Sequence, residues 1–250
     1  MGMTIRHDGI TAEWLGYATL RLAGDDTVVY LDPGRYGVLT GEWEPDTANS
    51  GHPPAREYAP GDGDIVCITH VHHYDPEAIR RVAHDDATIV AFEGINVRQS
   101  DRDLDRLADL DYEVRTVSME DETLVEDVPI WTMPAYNRED GPNVDASGEP
   151  IHPKGIGCGF LLALDDTRVF WPGDSDVLDG HDRLDVSLFV PSIARSYTMD
   201  RHAAAELAER MDPDLVLPIH YNTFATLAAD SGAFAEDVAK RGVPVVLDER

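Results

Sequence analysis

Residues 68–76 read Ile-Thr-His-Val-His-His-Tyr-Asp-Pro, and this stretch decides how the rest of the chain is interpreted. The apolar run just before it, residues 65–68, is typical of a buried strand, and a helical pattern follows it. In an extended chain, His70 and His72 project to the same side because they are two residues apart. Neutral imidazole is a ligand for zinc, manganese or iron, and Asp75 adds a hard oxygen beside it.

A solvent-exposed loop rich in histidine is the alternative interpretation of this stretch, because short motifs also occur by chance. The rest of the chain favours a metal site, since apolar strands repeatedly stop at a polar residue that can bind a cation. If the strands form two sheets, these ends can gather along one edge. The residues at the strand ends are Asp32, His70, His152, Asp174 and His220.

The order of the predicted elements indicates an α/β fold in one domain, residues 1–250, with two sheets packed together and flanked by helices. The predicted elements include a strand at 11–22, a helix at 101–110, a helix capped by Thr198 and ending at Met211, and a last strand at 243–247.

The composition is strongly acidic: the chain has 48 Asp and Glu but 20 Lys and Arg, which gives a net charge of -28. Lys154 and Lys240 are the two lysines, and the acids are scattered along the chain. Such a surface keeps a protein soluble in high salt, so we expect a halophilic, haloarchaeal-type cytoplasmic protein. An ordinary acidic protein is the alternative, and the scarcity of lysine argues against it. Nucleic acid is not an expected partner, because no basic cluster is present to displace phosphate counterions.

The sequence predicts no membrane partner, because no apolar run approaches the roughly 20 residues that cross a bilayer. Cys67 and Cys158 lie in apolar, strand-like contexts and are expected to be buried thiols in a reducing compartment. Five histidines lack a supporting context and are expected at the surface: His7, His52, His84, His181 and His202.

Several motifs between Trp14 and Phe224 resemble the metallo-β-lactamase superfamily, and specifically its L-ascorbate-6-phosphate lactonase-like branch of metal-dependent hydrolases. The resemblance implies an αββα sandwich of two mixed sheets with a metal site at the sheet edge. The motifs are Leu-Gly-Tyr-Ala-Thr at 15–19, Asp-Pro at 32–33, Gly-Asp-Ser at 173–175 and Pro-Ile-His-Tyr-Asn-Thr-Phe at 218–224.

The histidine motif departs from the family signature, His-x-His-x-Asp-His. A direct alignment places Tyr74 where the family carries an Asp ligand and Asp75 where it carries a His. An alternative alignment deletes two residues and places His73 on the last His. The opening motif has Tyr17 in place of a His. The position of the family's third histidine reads Tyr-Asn at 136–137, and His152, a loop later, is a candidate substitute.

From the residues and the resemblance we predict a site for one or two divalent cations, with zinc expected and manganese or iron as alternatives. Asp174 would bridge two cations, and Asp75 would also be catalytic by orienting water, or else act only as a ligand. The predicted ligands are His70, His72, His73, Asp75, His152, Asp174 and His220.

The predicted function is a metal-dependent hydrolase that uses a metal-bound hydroxide on an ester, lactone or phosphoester. The expected partner is a small molecule, and an anionic one would meet Arg35, Lys154 or Arg195. A homo-oligomer is left open. The first alternative is a binding or scaffold protein with a degenerate site. The second, a nuclease, is disfavoured by the acidic surface.

The acidic surface predicts that the protein loses structure when salt is removed. Surface carboxylates repel one another over a Debye length that grows from about 3 Å at 1 M salt to about 30 Å at 0.01 M. Circular dichroism during thermal unfolding, recorded across this salt range, measures the effect. A fully retained fold with cooperative unfolding in low salt would contradict the halophilic interpretation.

Overall fold

Two mixed β-sheets enclose a common core in this computed structural model, which describes residues 4–47, 57–100 and 102–249. In the first sheet the strands follow one another in chain order, antiparallel from β1 to β4 and parallel from β4 to β7. These strands are β1 (Ile5–His7), β2 (Ile10–Gly16), β3 (Thr19–Ala23), β4 (Val28–Leu31), β5 (Gly63–Ile68), β6 (Ala83–Phe92) and β7 (Glu113–Val117).

The second sheet has six strands in the order β13-β12-β11-β10-β9-β8. Strands β8 to β11 pair antiparallel, and β11 to β13 pair parallel. The strands are β8 (Glu122–Val125), β9 (Val128–Ala135), β10 (Gly157–Leu164), β11 (Thr167–Trp171), β12 (Leu188–Phe189) and β13 (Leu215–Val216). The helices are α1 (Pro76–Val82), α2 (Arg201–Met211) and α3 (Ser231–Lys240). The predicted α/β sandwich is confirmed.

Burial explains the composition of the central strands. Strand β5 has a parallel neighbour on each side, and its last four residues are fully buried, which accounts for the unbroken apolar run that precedes the histidines.

Helices α2 and α3 pack against each other. Within the described parts of the chain, no helix is both long and apolar enough to cross a membrane.

The two sheets are joined at the edge where the polar strand ends gather. Past the end of β5, the carbonyl of Thr69 accepts a hydrogen bond of 3.2 Å from the backbone N–H of Cys158 in β10. His70 forms an isolated bridge with Gly157, the first residue of β10. Asp32 follows β4 directly, and Asp174 lies three residues past β11. This edge therefore brings loops from both sheets together.

Two predicted strands differ from those observed. The strand predicted at 11–22 is a tight hairpin of β2 and β3, because the chain reverses at Gly16 (φ 117°) and Tyr17 (φ 50°). The last strand predicted at 243–247 is reduced to one isolated bridge, from Val245 to Val216. Its neighbour Pro244 has no N–H with which to extend the ladder.

Two predicted helices also differ. Within 102–110 the structure has one 3₁₀ turn, Leu107–Asp109, where the sequence predicted a helix. Tertiary contacts hold this segment across α1: the Tyr74 hydroxyl donates to the Asp105 carbonyl at 2.9 Å, and the Asp105 carboxylate pairs with Arg80. Asp200, not Thr198, caps α2, because its carboxylate accepts two backbone N–H groups of the first turn.

Gly34 allows the loop after β4 to pack against α1, and replacing it should destabilise the fold. It has a φ of +99°, and a Cβ there would lie 2.1 Å from the Cβ of Ala78. We expect Gly34→Ala to lower the free energy of unfolding by about 2–5 kcal/mol, because it adds backbone strain to overpacking.

Gly148→Ala is the matched control for this clash. Gly148 has a similar φ of +88°, but no heavy atom lies within 4 Å of its added Cβ. Its free energy of unfolding should fall only by the cost of the backbone strain, about 1–2 kcal/mol. Equal losses in the two variants, measured by denaturant unfolding, would show that the contact with α1 does not constrain the loop.

Candidate metal centre

The histidine loop, residues 69–75, is a tight turn and not the extended chain assumed from the sequence. The backbone N–H of His73 donates to the carbonyl of His70 at 3.2 Å, and that of Tyr74 donates to Val71 at 3.3 Å. The turn still brings three imidazoles together. The ring centre of His70 lies 5.1 Å from that of His72 and 4.3 Å from that of His73.

Two more histidines approach these three from distant parts of the chain. Nε2 of His152, from the segment between β9 and β10, lies 3.1 Å from Nδ1 of His72. Nε2 of His220, which follows β13, lies 3.1 Å from Nε2 of His73. The cluster therefore contains two pairs of imidazoles in close contact, with His70 beside them.

Asp174 lies between the two pairs. Its Oδ1 is 3.6 Å from Nε2 of His73 and 3.6 Å from Nε2 of His220. Its Oδ2 is 3.6 Å from Nε2 of His70 and 3.5 Å from Nε2 of His152. Each carboxylate oxygen thus faces a different group of histidines, which is the arrangement of a bridging ligand.

Asp32 fixes the orientation of two of the imidazoles. Its Oδ2 accepts hydrogen bonds from Nδ1 of His73 at 2.9 Å and from Oγ1 of Thr69 at 2.7 Å. Because the Thr69 hydroxyl donates to Asp32, it accepts from Nδ1 of His70 at 2.9 Å. With both Nδ1 atoms protonated, both Nε2 atoms carry lone pairs directed into the cluster.

Asp32 was among the strand-end residues that the sequence indicated, but it was not among the predicted ligands. Burial raises its pKa to about 6, against the opposing effect of hydrogen bonds from Thr69 and Trp171. The available signal was its position directly after β4, at one of the strand ends that gather at this edge.

A hydrogen-bonded clamp holds His152. Asn137, two residues past β9, donates its backbone N–H to the His152 carbonyl at 2.8 Å, and its Oδ1 accepts the His152 N–H at 2.9 Å. The carbonyl of Tyr197 accepts from Nδ2 of Asn137 at 2.9 Å and from Nδ1 of His152 at 3.2 Å. Nε2 of His152 is therefore unprotonated and faces the cluster.

The surroundings keep the imidazoles in the neutral form that binds metal. Burial and the neighbouring imidazoles lower the pKa of His70 and of His73 well below the usual range. Burial also lowers the pKa of His152 and of His220 to about 4. Burial raises the pKa of Asp174 well above its usual range. A nearby cation would reverse the effect on Asp174, because an opposite charge favours the carboxylate.

The residues present fit one or two divalent cations. Two buried atoms that face the cluster, Nε2 of His70 and Oδ1 of Asp174, have no hydrogen-bond partner among the described residues. Zinc–nitrogen bonds of about 2.0–2.1 Å at tetrahedral angles separate two ligand nitrogens by roughly 3.3 Å. The paired nitrogens of His72 and His152, and those of His73 and His220, lie 3.1 Å apart, which is close to that separation, so a cation between them would need little movement of the rings.

Asp75, predicted as a ligand and catalytic residue, lies outside the cluster. Its Oδ1 accepts the backbone N–H groups of Glu77 and Ala78 at 3.1 and 3.2 Å, which makes it the N-cap of α1. Its Oδ2 accepts the N–H of Arg35 at 2.9 Å. Both oxygens are therefore engaged with backbone donors. The direct alignment placed the family's ligands at Tyr74 and Asp75. The Tyr74 hydroxyl donates to the Asp105 carbonyl, so neither side chain faces the cluster.

His181 corrects another sequence expectation. It was expected at the surface but is buried, and its Nε2 lies 3.1 Å from the carbonyl of Pro134. It is a hydrogen-bonded core histidine outside the cluster. His52, also expected at the surface, lies outside the described residues.

A cavity of about 270 Å³ opens above the cluster, and His72, His152, Asp174 and His220 form part of its lining. The rest of the lining is largely aromatic and apolar: Tyr17, Tyr36, Ile151, Tyr197, Phe224 and Leu227.

Arg35 is the one Lys or Arg that lines this cavity within the described part of the chain. Its Nη1 donates to the carbonyl of His72 at 2.6 Å. Lys154, another candidate for anion contact, lies over the ring of Tyr136, and Arg195 lines a separate cavity.

Comparison with known proteins agrees with this geometry. The model of a beta-lactamase superfamily domain matches residues 11–220. A metal-dependent hydrolase of Archaeoglobus fulgidus is 29% identical over 93% of this chain and 92% of its own length. A metal-dependent hydrolase of Thermococcus onnurineus is 25% identical over 95% of this chain and 96% of its own length. The solved structure of Igni18, a metallo hydrolase from Ignicoccus hospitalis, superposes with a TM-score of 0.69 at 20% identity, over 96% of this chain and 95% of that one. Because the family match covers most of the chain, this protein belongs to the metallo-β-lactamase superfamily.

Proposed function

We infer that this protein is a metal-dependent hydrolase that acts on a small molecule. The observation that carries this inference is the buried carboxylate of Asp174, whose two oxygens face different groups of neutral imidazoles beneath a cavity. Relatives that match nearly the whole chain are metal-dependent hydrolases, which supports the same function.

Two cations would share the cluster, with Asp174 as the bridge. One group of ligands is His70, His72, His152 and Oδ2 of Asp174, and the other is His73, His220 and Oδ1 of Asp174. Zinc is the expected ion because most of the ligand atoms are imidazole nitrogens, which also suit iron and, less well, manganese.

A bound divalent cation supplies Lewis acidity, which polarises the substrate and acidifies water. The chain's own residues prepare the site for this chemistry. Asp32 and Thr69 keep the Nε2 lone pairs of His70 and His73 directed into the cluster. The aromatic side chains that line the cavity lower the local dielectric constant, which strengthens electrostatic interactions there.

The cavity favours a small, anionic ester, lactone or phosphoester. Its volume of about 270 Å³ lies just below the roughly 300–1,000 Å³ of typical ligand pockets. Arg35 offers its remaining N–H donors to an anionic group, because the described residues place no carboxylate in an ion pair with it. A phosphorylated lactone, as the lactonase-like resemblance implies, has both features.

Two observations bear on the remaining predictions. The unusual histidine motif suggested a degenerate binding or scaffold protein. The closeness of His73 and His152 to the other imidazoles and to Asp174 supports a complete site instead, so we do not propose that function. The net charge of -28 and the two buried free cysteines support a salt-rich, reducing cytoplasm as the working environment.

Removing His152 should cost one cation while the fold is retained. We expect His152→Ala to lower the metal content by one ion per chain, since this change deletes a ligand without touching the core between the sheets. Losing only the hydrogen-bond partner of a ligand typically lowers activity by about 10–100-fold. The rate of hydrolysis should fall by more than that, because His152→Ala removes the ligand itself. Elemental analysis of the purified protein measures the metal content.

His181→Ala provides the control for His152→Ala, because it removes a histidine that is equally buried but lies outside the cluster. Its metal content should equal that of the wild type. If His152→Ala also kept the full metal content and turnover, His152 would be a loop residue and the first ligand group would be wrong.

Arg35 should select for a negative charge on the substrate. Para-nitrophenyl hemisuccinate and para-nitrophenyl butyrate are esters of similar length that differ by one carboxylate. Arg35→Met should raise KM for the hemisuccinate on the order of 10- to 100-fold, as expected for losing hydrogen bonds to a charged group. KM for the butyrate should stay nearly constant.

Arg195→Met removes an arginine that lines a different cavity and should leave both KM values unchanged. For Arg35→Lys, KM for the hemisuccinate should lie between the values for Arg35→Met and the wild type, because lysine keeps the charge but not the planar guanidinium group. An equal change of KM for both esters in Arg35→Met would show that Arg35 does not read the substrate's charge.

A further inference from the structure

Tyr17 lies in the hairpin turn between β2 and β3 with its backbone held in a left-handed conformation, at φ 50°. A residue with a side chain adopts this conformation only when its surroundings enforce it. The buried indole of Trp14 does so here, because its Nε1 donates to the Tyr17 carbonyl at 2.8 Å. The backbone from which the Tyr17 side chain extends is therefore held in place by the fold.

The phenol ring lies against the second group of ligands. Its centre is 5.2 Å from the ring centre of His73, nearly perpendicular to it, and 4.6 Å from that of His220. Tyr17 also lines the cavity together with His220 and Asp174. A substrate that reaches the cluster through this cavity would contact Tyr17.

The Tyr17 hydroxyl differs from those of the other buried tyrosines. The hydroxyls of Tyr30, Tyr74 and Tyr221 donate to Asp62 at 2.7 Å, to the Asp105 carbonyl at 2.9 Å and to Glu249 at 2.9 Å. That of Tyr17 has no hydrogen-bond partner in the described parts of the chain. A buried tyrosine usually finds a partner for its O–H group, so this donor is available to a molecule bound in the cavity.

We propose that Tyr17 is a catalytic residue whose hydroxyl donates a hydrogen bond to the oxygen that gains negative charge during hydrolysis. In an ester or lactone, the oxygen of water forms a bond to the acyl carbon, and the carbonyl electron pair moves onto the carbonyl oxygen. When that pair returns, the bond to the leaving-group oxygen breaks, and the leaving group acquires the proton that water lost.

Tyr17 keeps its own proton throughout this sequence. A protonated phenol hydroxyl is a hydrogen-bond donor. The proposal rests on the proposed hydrolase function and assigns one group in it that acts on the reacting atoms.

Tyr17→Phe tests the proposal, because it removes the hydroxyl and keeps the ring that packs on His73 and His220. We expect kcat to fall by about 10²–10³-fold, the effect of removing one donor to a developing oxyanion. KM, metal content and Tm should stay close to those of the wild type. Unchanged kcat in a metal-loaded Tyr17→Phe protein would overturn the proposal.

Tyr74→Phe is the matched control, since Tyr74 is also buried but its hydroxyl bonds to the Asp105 carbonyl outside the cavity. It should lower Tm and leave kcat unchanged. A loss of kcat in Tyr74→Phe as large as that in Tyr17→Phe would overturn the proposal, because the effect would then be a general one of buried hydroxyls.

A series of aryl and alkyl esters separates this role from proton donation. A donor to the carbonyl oxygen is needed whatever the leaving group, so the fold-loss in Tyr17→Phe should be the same across the series. A loss that disappears for para-nitrophenyl esters would identify a proton donor and overturn the proposal. Wild-type protein that is metal-loaded but hydrolyses none of these esters, lactones or phosphoesters would instead count against the proposed function.

Discussion

The carboxylate of Asp174, buried where two groups of imidazoles converge, is the constraint on which the rest of this structure depends. A buried carboxylate is costly unless a cation or several hydrogen-bond donors compensate for it. Hydrogen bonds occupy the Nδ1 atoms of His70, His73 and His152, so the Nε2 atoms of these neutral imidazoles offer Asp174 lone pairs and not donors. Divalent cations between these nitrogens and the carboxylate would satisfy both sets of groups, because an opposite charge favours the ionised form of Asp174 that burial disfavours.

The fold supports this arrangement by joining the two sheets at one edge. Asp32, at the end of β4, receives hydrogen bonds from Thr69 in the histidine loop and from Trp171 at the end of β11, so it connects both sheets beneath the cluster. Strain is concentrated at the same edge. Residues there with positive φ include Tyr17, Asp32, Arg35, Tyr36 and His220. Such conformations persist when surrounding contacts enforce them, as is common at functional sites.

Local sequence patterns predicted the parts of the fold that depend on local chemistry. Apolar runs that stop at a ligand-type residue identified His70, Asp174 and His220, because the ends of buried strands are the places where side chains leave the core. The same logic indicated Asp32, whose role became evident only when its hydrogen bonds to Thr69 and His73 were known.

Tertiary contacts determine the roles of the other candidate residues, and no local sequence pattern encodes these contacts. Asp75 has the chemistry of a ligand, yet the residue before a proline at the start of a helix is also an N-cap, and here capping prevails. His152 reaches the cluster because Asn137 and Tyr197, 15 and 45 positions away in the chain, form hydrogen bonds to it.

Anomalous diffraction from crystals grown with zinc, recorded at the zinc absorption edge, tests the central claim most directly. We expect two peaks on either side of Asp174, one close to His70, His72 and His152 and the other close to His73 and His220. A single peak at one group would mean that Asp174 does not bridge. A fully loaded crystal with no peak at Asp174, or with zinc bound only elsewhere, would contradict the account.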